Sequence, residues 1–181
     1  HGVTTTYEYN PWGQRTAITD ALGNVTRYEY DAAGRLITTT QHANTQYAVR
    51  TINVYDPADN LIRVTQNYTS AGGQNWQNAY NLVTQYEYDR AGNRVAMTDT
   101  VGRVTRNWYD AANRLISVTV NYSPTVGPNY QNQWNLTTRY GYDAVGNRTA
   151  VTDTLGRVTR NWYDAANRLI SVTVNYSPTV G

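Results

Sequence analysis

The strongest constraint in this sequence is that it repeats itself. Residues 104–127 recur letter for letter as residues 158–181, an offset of 54 positions. The agreement extends upstream, where YEYDRAGNR aligns with YGYDAVGNR at the same offset. Self-similarity at a fixed period is typical of architectures in which supersecondary units stack on one another. We therefore interpret residues 1–181 as one continuous repeat array, with a 54-residue super-repeat at 83–136 and a truncated copy of it at 137–181.

A smaller unit lies within the longer one and is marked by a tyrosine that precedes an aspartate or its equivalent. The bare unit advances by 21 residues, and the longer step of 33 residues carries an insert at 67–82 or at 121–136. Gly2 aligns with Gly23 and Gly181 with Gly127, so we expect the array to be truncated inside a repeat at both ends. The marker tyrosines are Tyr9, Tyr30, Tyr55, Tyr88, Tyr109, Tyr142 and Tyr163.

Each small unit predicts a β-hairpin. Thr, Val, Ile, Tyr and Trp suit a pleated, half-buried surface, and VTRYEY at 25–30 alternates between two faces with period two. The turn DAAG follows, and its fourth residue needs a positive φ, which Gly and Asn tolerate. On the return strand, Ile116, Val118 and Val120 predict a continuous apolar face. We expect positive φ at Gly34, Gly92, Asn113, Gly146 and Asn167.

These residues resemble a known family. The pattern Tyr-x-Tyr-Asp-x-x-Gly/Asn, with an Asp-x-x-Gly-Arg turn before the next Val-Thr-Arg, is similar to the YD or RHS repeat. Two copies depart from it, at 10–13 (NPWG) and 56–60 (DPADN). The signature residues are Tyr30, Asp31, Gly34, Tyr88, Asp89, Gly92, Tyr109, Asp110, Tyr142, Asp143, Gly146, Tyr163 and Asp164.

The resemblance implies an all-β spiral of hairpins without significant helix. In toxin complexes and polymorphic toxins, arrays of this family close into a hollow shell around a toxin segment, and in teneurin-like receptors they form an extracellular barrel. We therefore expect a non-enzymatic scaffold of a larger secreted or cell-surface protein, built as a shell, tube or fibre. Its expected partners are the neighbouring repeats of a longer chain, further copies that pair with exposed strand edges, and an enclosed C-terminal segment or a glycan.

Charge and composition argue against other classes. The chain has no Lys, and its 15 Arg face 13 acidic residues for a net charge of +2, without a basic run. This distribution does not favour nucleic acid as a partner. No apolar stretch approaches the length of about 18 residues that a membrane helix needs. Cysteine is absent, so no disulfide framework is expected.

Catalysis has little support in the sequence. His1 and His42 are the only histidines, neither has metal-ligand spacing, and thiol and amine nucleophiles are absent. We expect no enzymatic activity, no cofactor and no metal site. Asp110 and Arg114 could form a carboxylate and an anion site, but we favour a turn cap with an ion pair. The DxxG turns at 20–23, 99–102 and 153–156 could hold calcium, but they lack the closely spaced oxygen ligands of a proper loop.

Aromatic residues leave two functional hypotheses open. The marker tyrosines could stack on a ligand, although a side chain needed at every repeat is better explained by cross-strand packing. The inserts carry Trp76, Tyr80, Tyr130 and Trp134 among Asn and Gln, a composition that suits glycan or protein binding. We favour the alternative, in which these side chains cover the sheet or seal adjacent coils.

Overall fold

The structure is a computed structural model that describes residues 2–70, 79–127 and 133–175. Within those ranges every regular element is a β-strand, and the helix-free, all-β fold expected from the sequence is confirmed. No helix capable of spanning a membrane is found in the described ranges. Trp76 and Tyr130 lie outside the described residues. The chain divides into two compact units, residues 1–86 with 99–101 and residues 87–98 with 102–181.

The strands of the first unit form an antiparallel meander. Each strand pairs with its successor in the chain, so no connection crosses another. Within the unit, contacts between strands join only neighbours in the chain, which makes the sheet a single layer. The strands are β1 (Thr6–Tyr9), β2 (Arg15–Thr19), β3 (Val25–Tyr30), β4 (Leu36–Gln41), β5 (Val49–Tyr55), β6 (Leu61–Gln66) and β7 (Leu82–Tyr88), whose last two residues belong to the second unit.

The second unit repeats the same meander. In its register, Arg139 in β11, for example, lies opposite Thr152 in β12. Every described strand pair in this unit is antiparallel and sequential. The strands are β8 (Arg94–Thr98), β9 (Val104–Tyr109), β10 (Leu115–Val120), β11 (Leu136–Tyr142), β12 (Arg148–Thr152), β13 (Val158–Tyr163) and β14 (Leu169–Val174).

A β-bulge lies on the return strand after each tyrosine-preceded turn whose register is described. In the β3–β4 hairpin, Glu29 pairs with Thr38 and Tyr30 with Leu36, so Ile37 has no partner in the ladder. The same shift occurs in five other hairpins. A bulge adds one residue to one strand and bends it locally. Its recurrence at the same position makes it part of the repeat.

The bulge corrects one expectation from the sequence. Ile116, Val118 and Val120 do not form a continuous apolar face, because Ile116 is the bulged residue between Leu115 and Ser117. Ile116 is 37% exposed and Val120 is 40% exposed. The deepest position of β10 lies on the opposite face, where Thr119 is 4% exposed.

The most buried positions hold small side chains. Among the described residues, Ala17 and Ala96 are the only apolar side chains that are fully buried, at 1% and 2% exposure. Ala17 lies between Glu8 of β1 and Arg27 of β3 in the register of the sheet. Long charged side chains can lay their methylene groups over apolar surface while the charged ends stay in water. We name this surface, which carries Glu8, Ala17 and Arg27 in the first unit, the alanine face.

Turn backbones adopt the left-handed conformation where the sequence predicts it. The φ angle is 82° at Gly34, 82° at Gly92, 59° at Asn113, 97° at Gly146 and 60° at Asn167. L-residues with a Cβ atom pay a steric penalty in this region, and Asn pays less than most. This explains why the fourth turn position alternates between Gly and Asn.

Replacing Gly156 tests this requirement. Gly156 has a φ of 80° and no atom within 4 Å of the point that a Cβ would occupy, so Gly156→Ala should destabilise through backbone strain alone, by about 1–2 kcal/mol in urea unfolding. Gly156→Asn should cost less. Gly127→Ala is the matched control, because Gly127 has equal space and no positive φ. Equal stability of the Gly156 and Gly127 alanine variants would contradict the account.

Candidate functional site

A five-residue turn built on one carboxylate closes the hairpins. In the turn at Asp110, Oδ1 accepts hydrogen bonds from the backbone N–H groups of Ala112 and Arg114, each at 2.9 Å. Oδ2 accepts one from Arg114 Nε at 2.7 Å. The Asp110 amide donates to the Arg114 carbonyl, and the Asn113 amide donates to the Asp110 carbonyl. Asp110 is therefore a turn cap, and Arg114 pairs with the carboxylate of its own turn, as favoured from the sequence.

The same geometry recurs along the chain, including at the two copies that depart from the family pattern. Asn10 accepts through its side-chain oxygen from the amides of Trp12 and Gln14. Asp56 does the same for Ala58 and Asn60, and Asp59 takes the left-handed position with a φ of 65°. The other carboxylates with this pattern are Asp20, Asp31, Asp89, Asp143, Asp153 and Asp164.

The carboxylate oxygens of these turns are occupied by N–H donors. At Asp20, Oδ1 accepts two backbone bonds and Oδ2 accepts one from Asn24 Nδ2 at 2.9 Å. At Asp153, Oδ2 is 2.6 Å from Arg157 Nε. A cation would have to displace these donors. Within the described ranges there is also no group of three or more His, Asp or Glu side chains that could hold a metal ion.

Hydrogen bonding keeps the turn carboxylates ionised. The backbone N–H of Arg114, followed by its guanidinium, holds the pKa of Asp110 below its usual value, against the opposing effect of desolvation. At Asp143, the side-chain amide of Asn147 is the largest cause of a lowered pKa. The pKa values of Asp20, Asp31, Asp56, Asp89, Asp153 and Asp164 are lowered as well. These groups are set up to accept hydrogen bonds and not to donate protons near neutral pH.

In several turns the fifth residue also reaches a neighbouring turn along the sheet edge. Arg114 Nη1 donates to the Asp143 carbonyl at 3.0 Å, and its guanidinium carbon lies 4.8 Å from the ring centroid of Tyr142. Arg35 makes the equivalent bond to the Asp56 carbonyl. Two asparagines at this position donate to an amide oxygen instead. These bonds are Asn93 to Asn113 at 2.8 Å and Asn147 to Asn167 at 2.9 Å.

Five tyrosines that precede a turn aspartate form a second link between hairpins. Tyr109 at the end of β9 donates its hydroxyl to the carbonyl of Arg94 at the start of β8, at 3.2 Å. Tyr142 donates to the Leu115 carbonyl at 2.8 Å. Each bond joins one hairpin to the preceding one, which is the arrangement expected of cross-strand packing. The further cases are Tyr30 to Arg15, Tyr55 to Leu36 and Tyr163 to Arg148.

Paired asparagines close the necks of the two inserts. Asn81, only 7% exposed, donates its backbone amide to the Asn67 carbonyl and exchanges two side-chain bonds with the backbone of Thr69. Asn67 Nδ2 donates to the Ala79 carbonyl at 2.7 Å. The second insert repeats these bonds 54 residues later, through Asn121 and Asn135. The necks are therefore ordered parts of the repeat.

Two of the aromatic side chains in the inserts are exposed, and a third packs against the sheet. Tyr80 is 48% exposed and Trp134 is 38% exposed. Sequence reasoning missed Tyr122, whose ring packs edge-on against Trp108 with centroids 6.1 Å apart and beneath the guanidinium of Arg106. The feature of the sequence that could have identified Tyr122 is its position directly after Asn121, whose left-handed backbone turns the chain back over the sheet.

His42 lies in the connection after β4, where its backbone shapes the turn. Its φ is 50°, the value that Asn67 and Asn121 adopt at the corresponding position, and its carbonyl accepts a hydrogen bond from the Thr45 amide at 3.0 Å. Among the described residues, the turn aspartates therefore have structural contacts, and the His42 backbone shapes a turn.

Hairpins joined by turn-to-turn and tyrosine bonds define a tandem-repeat β scaffold. The family model described as RHS Repeat matches residues 1–25, 9–46, 55–104 and 142–175. The chain belongs to the RHS-repeat family, as the resemblance in its sequence implies.

Two curated relatives are toxins by name. Double-stranded DNA deaminase toxin A of Burkholderia cenocepacia (strain H111) is 29% identical over 153 residues, which are 82% of this chain and 10% of that protein. Toxin protein Tse5 of Pseudomonas aeruginosa (strain PAO1) is 30% identical over 152 residues, 80% of this chain and 11% of that protein. The chain thus spans about a tenth of the length of these relatives.

Solved structures share the fold. The crystal structure of TcdB2-TccC3 gives a TM-score of 0.53 at 14% identity, covering 97% of this chain and 10% of that one. A Photorhabdus luminescens Tc holotoxin pore structure gives 0.52 at 15% identity, covering 94% and 10%. At these identities the likeness concerns the fold.

Removing one tyrosine hydroxyl tests the link between hairpins. Tyr109→Phe keeps the ring but leaves the Arg94 carbonyl without this donor, so the free energy of unfolding should fall by about 1 kcal/mol in urea titrations. Tyr47→Phe is the control, because Tyr47 is 72% exposed. Equal stability of the two variants would show that the hydroxyl contributes nothing.

Acid should weaken the whole array. Because the folded-state pKa values of the turn aspartates lie below the unfolded value of about 3.9, their contribution is complete above that pH and is lost as the pH falls through the lowered values. The urea midpoint should therefore be flat from pH 7 to about pH 5 and drop steeply below pH 4.

Asp110→Asn is the matched variant for the acid titration. The amide keeps an oxygen for the two backbone bonds, as Asn10 shows, but cannot pair ionically with Arg114. It should lower stability at pH 7 and reduce the loss between pH 5 and pH 2. A wild-type midpoint that does not change with pH would rule out the carboxylate contribution.

Proposed function

We propose that this chain is a non-enzymatic wall segment of a larger secreted or cell-surface protein, in which RHS hairpins build a β-sheet shell, tube or fibre. The observation that carries the proposal is the interlock of consecutive hairpins. Turn-to-turn bonds such as Arg114 to the Asp143 carbonyl join one edge, and tyrosine bonds such as Tyr142 to the Leu115 carbonyl join the strands. The repeats themselves have a structural role, and the extracellular wall is our extension of it.

A single hairpin cannot supply this stability by itself. An isolated two-stranded hairpin is at best marginally stable in water, and in repeat proteins stability comes largely from the interfaces between neighbouring units. Here the sheet is a single layer within each unit, so the flanking hairpins supply much of the burial. Such an array is suited to extension over a large surface, which is what a wall requires.

The absence of catalysis in this segment is part of the proposal. The carboxylate oxygens of the turn aspartates accept hydrogen bonds from N–H groups, and the pKa values of these carboxyls are lowered. Both features suit capping and not proton transfer. One relative is named as a deaminase, but the matched region is a tenth of that protein. We place any such activity of the parent protein outside the segment described.

Both curated relatives are named as toxins, and this favours a shell over a fibre. In that arrangement the partners of the chain are the neighbouring repeats and a C-terminal segment enclosed by the wall. The signature residues, from Tyr30 and Asp31 to Tyr163 and Asp164, then serve the wall as joints between hairpins.

Electron microscopy of the full-length native protein tests the proposal. A closed hollow particle with internal density supports the shell, and a regular fibre or tube supports the scaffold in its extended form. Turnover of a substrate by the purified 181-residue array, abolished by a substitution within it, would refute a non-enzymatic wall. A parent protein in which the repeats form no continuous sheet structure would refute the scaffold.

A second candidate function is glycan or protein binding by the inserts. It rests on the exposure of Tyr80 and Trp134, which stand at equivalent positions 54 residues apart on necks closed by asparagines. Tyr80→Ala and Trp134→Ala discriminate: lost retention on a glycan array with unchanged melting supports binding. A lower melting temperature of the alanine variants, with no glycan retained by the unsubstituted chain, supports packing.

A further inference from the structure

The turn at residues 10–14 differs from the other tyrosine-preceded turns in its side chains but not in its backbone. Asn10 accepts hydrogen bonds from the amides of Trp12 and Gln14, as the aspartates do elsewhere. Gly13 takes the left-handed position with a φ of 79°. The third residue is Trp12, where five of the other turns have Ala and one has Val. The turn geometry therefore does not require a tryptophan.

The indole of Trp12 is exposed and has no partner among the described residues. Trp12 is 82% exposed, and its hydrogen bond is made by the backbone amide and not by the indole N–H. Buried aromatic side chains contribute through the apolar area that they cover, and a buried indole N–H usually finds an acceptor. Trp12 does neither within the described fold, so its side chain is available to a ligand.

Trp12 lines a cleft between its own turn and the next one along the sheet edge. The cleft has a volume of about 590 Å³, and Ala32, Ala33 and Gly34 line it from the next turn. Gln14 Nε2 donates to the Gly34 carbonyl at 3.0 Å and so fastens the two turns to each other. The volume lies within the range of about 300–1,000 Å³ that is usual for ligand sites.

Polar groups with spare hydrogen-bonding capacity line the same cleft. Asn10 Nδ2 donates to Gln14 Oε1, and Gln14 Nε2 donates to Gly34, so each side-chain amide keeps a second N–H. Thr16 also lines the cleft, and its hydroxyl has no hydrogen-bond partner among the described residues. Thr16 is the bulged residue of its hairpin, and the other described bulges hold Ile four times and Thr once. The bulge therefore does not require this hydroxyl.

One of the two carboxylates in the lining is unpaired. Asp31 accepts hydrogen bonds from the amides of Ala33 and Arg35 and pairs with the Arg35 guanidinium. Glu29 is exposed, and its carboxylate has neither an ion pair nor a hydrogen bond with a described residue. The cleft thus offers N–H donors, a hydroxyl and one accepting carboxylate beside an aromatic plane.

We propose that this cleft binds a neutral sugar ring with equatorial hydroxyls, as in a glucose-based polysaccharide. Such a ring has a flat face of C–H groups, which packs on the indole of Trp12. Its hydroxyls both donate and accept hydrogen bonds, so they match the amide N–H groups, the Thr16 hydroxyl and the Glu29 carboxylate. Ligand sites typically combine aromatic surface with a few placed polar groups. The site adds a ligand to the proposed wall and does not depend on the shape of the parent protein.

The charges of the cleft favour a neutral sugar over a charged ligand. A cationic peptide would pair only with Glu29, and an ion pair between exposed groups contributes little. It would also leave the N–H groups of Asn10 and Gln14 without an acceptor from its ammonium groups. An acidic sugar would meet the Glu29 carboxylate, and the lining residues include no arginine to offset the repulsion.

Calorimetric titration of the 181-residue chain with cellotetraose tests the proposal, with tetralysine as the cationic probe and tetragalacturonate as the acidic probe. Saturable 1:1 binding of cellotetraose alone is expected. Trp12→Ala, which introduces the residue of most other turns, should weaken this binding roughly tenfold or more because the stacked apolar area is lost. The melting temperature should not fall.

Leu22→Ala is the matched control for Trp12→Ala. Leu22 is the third residue of the turn capped by Asp20, is 89% exposed and lies outside the cleft. Its replacement removes a similarly exposed apolar side chain from the same turn position, so the affinity for cellotetraose should not change. Equal weakening by the two alanine variants would contradict a site at Trp12.

Thr16→Ile gives an independent reading, because Ile occupies the same bulge in other copies and is expected to fold there. Loss of the hydroxyl should reduce the affinity roughly fivefold, and this variant decides the matter if Trp12→Ala does not fold. Absence of saturable binding, or an affinity that neither variant changes, would overturn the proposal. Tetralysine or tetragalacturonate binding as tightly as cellotetraose would overturn the choice of a neutral sugar.

Discussion

The hydrogen bonds of one aspartate carboxylate hold each hairpin together. Asp110 fixes the conformation of its turn through three donors within four residues, and this brings Arg114 to the point from which it reaches the next turn. The turn is therefore both the end of one hairpin and the first contact with the next. Since the same five-residue turn recurs, a local interaction with short loop closure generates the long-range order of the array.

A single layer of sheet needs an unusual way to bury surface. The described strands of each unit contact only their neighbours in the sheet, so burial among them comes from cross-strand neighbours on the same face. Small residues such as Ala17 and Thr65 are buried, at 1% and 2% exposure, between the side chains of the two neighbouring strands. This explains a composition with a mean hydropathy of −0.65 in a chain that is nevertheless folded.

Much of the fold could be predicted from the residues. The period-two alternation in VTRYEY, the DAAG turns and the positive φ at Asn113 follow from local stereochemistry, so the hairpins and their turns were accessible from sequence. The bulge at Ile116 could not be predicted, because a shift in strand register depends on how two strands twist together and is not marked by a particular residue type. The role of Tyr122 was also missed, since its contact with Trp108 joins an insert to strand β9.

The sequence by itself determined that the chain is a β-repeat array, because a repeated pattern of turn residues and alternating side chains encodes the same hairpin each time. It also determined that Asp110 and its equivalents would cap turns, since their partners lie within four residues. Only the tertiary structure decided which residue each hairpin presents to the next. The bonds from Asn147 to Asn167 and from Tyr142 to Leu115 join residues that are 20 and 27 positions apart. Their geometry depends on strand register, which is set by packing between hairpins and not by any one of them.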